Sequence, residues 1–333
     1  MMTPLFLRHA LNALMRWVCR IPEVREVLHT LALKVTRDPQ RSELARARVF
    51  NVLAVSSAPE GMVEFAAPVP ELPGTSLQLR LDLKDELSRQ WYYWCYDRYE
   101  PEVRTLMWEL VKDLPAGESG DVIDIGANLG YFTLYLGTLL RHRGAGTVQA
   151  FEPSPGVFAR LQHNLELNPG LPVKLVPAAL SDADGEANLF LADFDSWGHS
   201  SASLLPGVVD QEGAVTVRTR ALDSFCAENG IGKVSLIKMD CEGAEAAAIR
   251  GMKGVLQHDW PHLIMEIIPR FDGEILPVLN SPELARYRKF HVTDEGLVEH
   301  EKCFASYENR DWLLSLNPPL RLMKGEAGVT TNC

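Results

Sequence analysis

A chain of 333 residues with 46% hydrophobic content can bury a sizeable core in one large or two modest domains, and its net charge of −11 argues against general nucleic-acid binding, which needs a basic surface facing phosphates. The charge is uneven: residues 1–48 carry nine Lys/Arg against four Asp/Glu, which leaves the remainder at −16. Six scattered cysteines (Cys19, Cys95, Cys226, Cys241, Cys303, Cys333) show no C-x-x-C and no zinc spacing, which favours reduced thiols in a cytosol over a metal ribbon or a disulfide framework, and no apolar run is long enough to span a bilayer.

Residues 3–19 read as a helix, with Leu7, Leu11, Leu14 and Val18 on one face and Arg8, Asn12 and Arg16 on another. Arg8 and Arg16 also interrupt the apolar core that a signal peptide needs. Such a helix suits contact with a membrane surface or a partner; packing on its own domain or in a dimer is the favoured reading. Helices are expected over Pro22–Thr36 and Arg41–Ala54, then a linker over the Pro- and Gly-rich Pro59–Gly74. Leu77–Leu83 alternates strictly and is expected as a strand. The aromatics from Trp91 to Tyr96, with Tyr99, suit either a pocket wall or the glue between two parts of the chain. A helix from Pro101 to Leu114 follows.

From Asp121 the chain alternates between strand and helix. Strand 1 is expected at Val122–Ile125, with a helix over Leu129–Leu140. Strand 2 is Thr147–Phe151, with a helix over Pro155–Asn168 that has Ser154 at its N-cap and Pro155 at its first position. Strand 3 is Val173–Pro177, and two further strands fall at Glu186–Leu191 and Ala214–Thr219. Helix Leu222–Asn229 leads to strand 4, Val234–Met239; helix Ala244–Gly251 leads to strand 5, His262–Ile267. The last strands are Lys289–Thr293 and Asp311–Leu316. This alternation predicts an α/β fold, a parallel sheet with both faces covered.

One turn carries the most chemistry. After strand 1 the chain reads Asp124, Ile125, Gly126, Ala127, Asn128, Leu129, Gly130, then Tyr131 at the head of the helix. Gly126 permits a tight turn, Gly130 lets the helix begin close to the strand, and the first-turn N–H groups are expected to face a ligand. A dinucleotide site wants G-x-G-x-x-G; here Asn128 replaces the middle glycine and an acid stands two residues before Gly126. S-adenosylmethionine tolerates that change, because its methionine ammonium suits Asp124 and it has no pyrophosphate to cradle. Glu152, with Pro153 behind it, ends strand 2 at the place where such folds accept ribose hydroxyls.

Asp124–Gly130, Phe151-Glu152-Pro153, Ala179-Leu180-Ser181-Asp182, Leu222–Phe225 and the run Lys238-Met239-Asp240-Cys241-Glu242-Gly243-Ala244-Glu245 stand in the order that resembles FkbM-type methyltransferases, over about Tyr99 to Leu316. The resemblance implies S-adenosylmethionine as cofactor and a Rossmann-like class I methyltransferase fold. Its seven-stranded, mostly parallel sheet would have the order 3-2-1-4-5-7-6 with strand 7 antiparallel. The chain is read as a mainly helical region with a strand over 1–90, a methyltransferase domain over 91–320 and a tail over 321–333. Many relatives methylate hydroxyls on natural products or sugars. Ser181 and Asp182 resemble the place where such folds hold the adenine amino group.

Methyl transfer to a hydroxyl needs alignment and a proton acceptor. Asp240, ending strand 4 beside strand 1, is the first candidate for general base or acceptor-orienting group. Glu242 is the second, and Lys238 pairs with an acid or with the substrate. For Glu242 and Glu245 the competing reading is an acid favoured in a helix's first turn. Glu266 is a weaker candidate, and His199, in the Ser-rich lid-like segment Ser196–Leu204, weaker still. No residue set has the make-up of a metal site. The expected acceptor is a small-molecule or glycan hydroxyl. RNA methylation, nicotinamide-dependent oxidoreduction and a non-catalytic binding module remain open as alternatives.

Overall fold

The computed structural model describes residues 14–15, 18–37, 45–46, 49–50, 53, 55–58, 61–94, 99–115, 120–192, 202–205, 211–308 and 310–324. Most of the expected helices over 3–19 and Arg41–Ala54, and the segment around His199, lie outside them. The chain divides into two compact units, Met1–Tyr99 and Glu100–Cys333.

The first unit holds helix α1 (Pro22–Thr36), strands β1 (Met62–Pro68) and β2 (Ser76–Asp82), and helix α2 (Glu86–Trp94). The expected linker over Pro59–Gly74 is corrected here: its Met62–Pro68 part pairs antiparallel with β2, from Met62 opposite Asp82 to Pro68 opposite Ser76. The alternation of Leu77, Leu79, Leu81 and Leu83 buries one side of this hairpin. Helix α2 begins where the Asp85 carboxylate accepts the Ser88 N–H at 3.0 Å, an N-cap arrangement. It carries Tyr93 into this unit's core, where it packs with Ala32 and Phe50 and its hydroxyl lies 2.7 Å from His29 Nδ1.

The second unit is a doubly wound α/β layer structure. Its elements are α3 (Pro101–Asp113), β3 (Asp121–Ile125), α4 (Tyr131–Arg143), β4 (Val148–Phe151), α5 (Pro155–Glu166), β5 (Val173–Val176), β6 (Ala179–Leu180), β7 (Gly185–Ala192), β8 (Ala202–Ser203) and β9 (Gln211–Arg220). Then come α6 (Leu222–Asn229), β10 (Val234–Met239), α7 (Glu245–Arg250), α8 (Lys253–His258), β11 (His262–Glu266), α9 (Asp272–Leu279), β12 (Arg288–Thr293), β13 (Gly296–His300) and β14 (Asp311–Ser315).

The main sheet runs β5-β4-β3-β10-β11-β14-β12-β13. Taken as strands 1 to 7, β3, β4, β5, β10, β11, β12 and β14 stand in the order 3-2-1-4-5-7-6, and the pairings of β14 with β11 and β12 are antiparallel. The expected count of seven is corrected to eight, because β13 pairs with β12 across the turn before Gly296. The strands expected near 186–191 and 214–219 belong elsewhere: β7 and β9 form a separate four-stranded sheet of order β6-β9-β7-β8.

Central strands such as β10 and β4 are buried along their whole length, as parallel strands covered on both faces must be. Helix α4 starts at Tyr131 rather than Leu129 and is buried without break from Tyr131 to Leu140, the pattern of a helix enclosed on all sides. On the other face a core of Ile123, Phe151, Phe225, Ile237, Ile249 and Trp312 joins the sheet to α6–α9. Ser154 stands at the N-cap of α5, but its side chain makes no capping bond.

Candidate active site

The loops that leave β3, β4 and β10 are joined by backbone bonds. The N–H groups of Gly126 and Ala127 both donate to the Phe151 carbonyl, at 3.1 and 2.9 Å, and the Asp240 N–H donates to Ile125 O at 3.0 Å. Gly126 has φ +79°, and a Cβ there would stand 1.8 Å from the Asp240 carbonyl oxygen. Glycine is therefore required on two counts, conformation and space. The Asn128 N–H donates to Glu152 Oε2 at 2.9 Å, and Gly130 N–H to Ala127 O. These four amides, which lead into the helix, are thus satisfied within the protein.

Glu152 is held by the turn it supports, since Oε1 also accepts the Ser154 N–H at 2.8 Å. Burial pushes its carboxyl up to about 7 against the opposing pull of these two bonds. Asp124 is almost fully enclosed. Its Oδ2 accepts the Thr133 hydroxyl at 2.5 Å, while Oδ1 has no hydrogen-bond partner. Burial raises the Asp124 pKa, and the Lys238 ammonium and Thr133 oppose the rise.

Asn128 and Glu242 are non-glycine residues in the left-handed region, at φ 50° and 52°, and both line one cleft. Such backbone costs energy and tends to gather where function fixes geometry. The cleft encloses about 650 Å³ to its open mouth, with Glu152 and Pro153 on one side, Ala179 and Leu180 on another, and Asp240 and Glu242 on a third. Ser181 and Asp182 lie just beyond Leu180 and do not line it; Asp182 pairs with Arg250 at 3.8 Å.

Lys238 Nζ stands 3.2 Å from Asp240 Oδ2 and 4.9 Å from the centre of the Phe132 ring. Burial alone would lower the Lys238 pKa, but Asp240, Asp124 and Glu100 outweigh it and hold the ammonium charged. Glu242 is raised by burial, then by Asp240 and Glu245.

Two contributions were not visible beforehand. Glu245 Oε1 accepts the N–H groups of Cys241 and Gly243, at 3.0 and 3.3 Å, so it clasps the loop that carries Asp240 and Glu242. Ser203 donates its hydroxyl to Glu242 O at 2.7 Å, and its neighbours Ala202 and Leu204 line the cleft; the serines of 196–204 were the only hint. Among the described residues no group of three His, Cys, Asp or Glu is arranged to hold a metal ion, and no helix is long and apolar enough to cross a membrane.

A sheet of this order, with acids at the ends of its first two strands and a glycine turn between them, defines a Rossmann-like fold of the class I methyltransferase kind. Residues 124–290 match the methyltransferase FkbM domain model, half of the chain, and the protein belongs to that family. It is 29% identical over 145 residues to the hexuronic acid methyltransferase AglP of Haloferax volcanii, covering 43% of this chain and 55% of that protein. It is 30% identical over 148 residues to the 2-O-methyltransferase NoeI of Sinorhizobium fredii, covering 40% and 58%. With the 31-O-demethyl-FK506 methyltransferase FkbM of Streptomyces tacrolimicus it shares 28% identity over 193 residues, 49% of this chain and 72% of that one. The chain thus spans less than two thirds of the length of AglP and NoeI. A crystal structure of methyltransferase FkbM from Methylobacillus flagellatus aligns at a TM-score of 0.39 with 14% identity, over 90% of this chain and 60% of that one.

Proposed function

We propose that the protein is an S-adenosylmethionine-dependent O-methyltransferase acting on a hydroxyl of a small molecule or glycan. The observation that carries this reading is the cleft between Glu152 and Asp240, lined also by Ile125 and Gly126; Asp124, the residue before them, is not part of that lining and carries a buried oxygen without a hydrogen-bond partner. A buried carboxylate oxygen without a partner is costly, and an ammonium group is the partner it lacks. Asp124 would hold the methionine end of the donor, Glu152 the ribose hydroxyls, and Leu180 the adenine side, with Ser181 and Asp182 just outside the cleft. Asn128, Gly126, Ala127, Gly130 and Tyr131 shape the turn between them.

Bound there, S-adenosylmethionine supplies an electrophilic methyl group. Asp240 orients the acceptor hydroxyl and takes its proton, through the oxygen that Lys238 does not hold. Lys238 positions that carboxylate, and Glu242 borders the acceptor's approach. The names of the relatives, which include a 2-O-methyltransferase and a 31-O-demethyl-FK506 methyltransferase, support transfer to oxygen.

The test is calorimetric titration with S-adenosylhomocysteine, with NAD as control. Micromolar binding of the former alone is expected, and binding of neither would sink the reading. Asp124→Ala should weaken that binding about tenfold or more, the worth of one hydrogen bond to a charged group. Asp240→Asn should leave it unchanged while methyl transfer to the acceptor collapses.

A further inference from the structure

Two walls of the cleft come from different parts of the second unit. The four-stranded sheet contributes Leu180, Leu189, Ala202 and Leu204, and the loop after β10 contributes Asp240, Glu242 and Ala244. Strand β8 is the edge of that sheet and two residues long, paired to β7 by Phe190 opposite Ser203 and Leu191 opposite Ala202. Two residues is below the usual strand length, so this ladder by itself holds residues 202–205 weakly. The Ser203 side chain, 1% exposed, fastens them to the opposite wall. Its oxygen accepts the Leu205 N–H at 3.1 Å, and its one proton goes to Glu242 O at 2.7 Å. The next residue of the loop adds a packing contact. A Cβ on Gly243 would stand 3.0 Å from Leu205 Cδ1 and 3.1 Å from Phe271, so Leu205 lies directly against the Gly243 main chain. Glu242 itself has φ 52°, a backbone conformation that its surroundings must hold in place. The Ser203 hydroxyl thus bonds on one side to its own segment and on the other to the loop that carries Asp240.

We propose that Ser203 is a positioning residue of the donor site: its bond to the Glu242 main chain holds residues 202–205 across the cleft as a strap and sets how long S-adenosylmethionine stays bound. The inference rests on the reading above, which makes this cleft the donor site. Ser203 does not line the cleft; it acts through its neighbours Ala202 and Leu204, which do. Without the hydroxyl, Leu205 N–H and Glu242 O lose that partner, and buried groups so stripped regain hydrogen bonds by reaching water. A two-residue edge strand can swing out to allow this, which is a local opening rather than global unfolding. Donor retention falls, and the fold keeps its stability.

The test measures association and dissociation rates of S-adenosylhomocysteine on the immobilised full chain, beside thermal melts of the unliganded protein. Ser203→Ala is expected to raise the dissociation rate about tenfold, the worth of one buried hydrogen bond. The association rate should stay within about twofold of the parent's, and the melting midpoint close to it. Ser203→Thr, which keeps the hydroxyl, should retain slow dissociation; Ser203→Gly takes the place of the alanine variant if that one does not fold. Amide exchange over residues 202–205 reads the strap itself: bound S-adenosylhomocysteine should slow it in the parent and not in Ser203→Ala. An unchanged dissociation rate without the hydroxyl, dissociation from Ser203→Thr as fast as from Ser203→Ala, exchange slowed equally in both proteins, or faster dissociation that comes with a collapse of the unliganded melting midpoint overturns the inference. Failure of S-adenosylhomocysteine to bind the parent overturns instead the donor-site reading beneath it.

Discussion

The Asn128 N–H meets Glu152 Oε2 at 2.9 Å, so the turn after β3 is fastened to the acid that ends β4. Glu152 is a support before it is a ligand. Glu152→Ala leaves two enclosed amides, those of Asn128 and Ser154, without acceptors, at about 1–3 kcal/mol each. It is expected to lower both unfolding free energy and S-adenosylhomocysteine affinity. Glu152→Gln keeps one acceptor oxygen and should lose affinity with a smaller loss of stability. Denaturant melts beside calorimetry separate the two effects.

The enclosed acids set a pH dependence whose sign can be worked out. Glu152 is pushed up to about 7 by burial, and Glu242, Glu266 and Asp311 are raised from the same first cause. Above the ordinary carboxylate range the native state then binds more protons than the unfolded chain, so stability falls as pH rises. The full contribution is present below that range and is lost through the raised values. Burial lowers His262 to about 4 and also lowers His29 and His300, which opposes this trend below about pH 6.5. Thermal midpoints of the unliganded protein should therefore decline from about pH 6.5 to about pH 8. Asp184 and Glu299 are lowered by their hydrogen bonds, but those act at more acid pH. Midpoints that rise across the stated window would contradict the assignment, and Glu152→Gln should flatten the slope.

Gly126→Ala should be among the most damaging single changes. The added methyl meets the Asp240 carbonyl oxygen at 1.8 Å in a backbone conformation alanine avoids. A loss of about 3 kcal/mol or more is expected, with donor binding lost as well. Gly144→Ala, at a similar φ but with nothing within 4 Å, is the control and should cost about 1 kcal/mol. Equal melting curves for the two variants would refute the steric argument.

Glu245→Ala releases the N–H groups of Cys241 and Gly243. A loss of about 1–3 kcal/mol is expected, with turnover reduced because Asp240 and Glu242 ride on that loop. Glu245→Gln, which keeps an acceptor, should recover most of the stability. A variant with full turnover would show that the clasp does not position the loop.

Most strands and helices from Asp121 onward were legible in the sequence because apolar runs such as Val234–Ile237 and Leu263–Met265 are bounded by turn residues, and helix starts such as Pro155 are marked; the helices α8 and α9 were not foreseen. Met62–Pro68 was not, because prolines and glycines around it signal a loop; the ladder to β2 overrides that signal. Helix α2 escaped notice because its cap, Asp85, sits at the end of a strand pattern. Strand β13 is short and depends on its partner. In the site, the acids were readable from their position after apolar strands. Glu245 was read as a helix-dipole acid because the left-handed turn at Glu242 and Gly243, which brings two amides onto its carboxylate, leaves no mark in local propensity. The same limit hid the spending of the Gly126–Asn128 amides on Phe151 and Glu152, a matter of neighbouring strands.

The contact of Gly126 with the Asp240 carbonyl and the bond from Asp240 N–H to Ile125 O join the first and fourth strands by main chain alone. The Gly126 turn and the Asp240 loop therefore share one main-chain chassis, which a side chain added at Gly126 would disturb. Glu266, on the strand beside β10, and Asp311, one strand further, stand outside that chassis. A protein engineer can thus vary the acids on β11 and β14 while the main-chain frame of the cleft keeps its alignment.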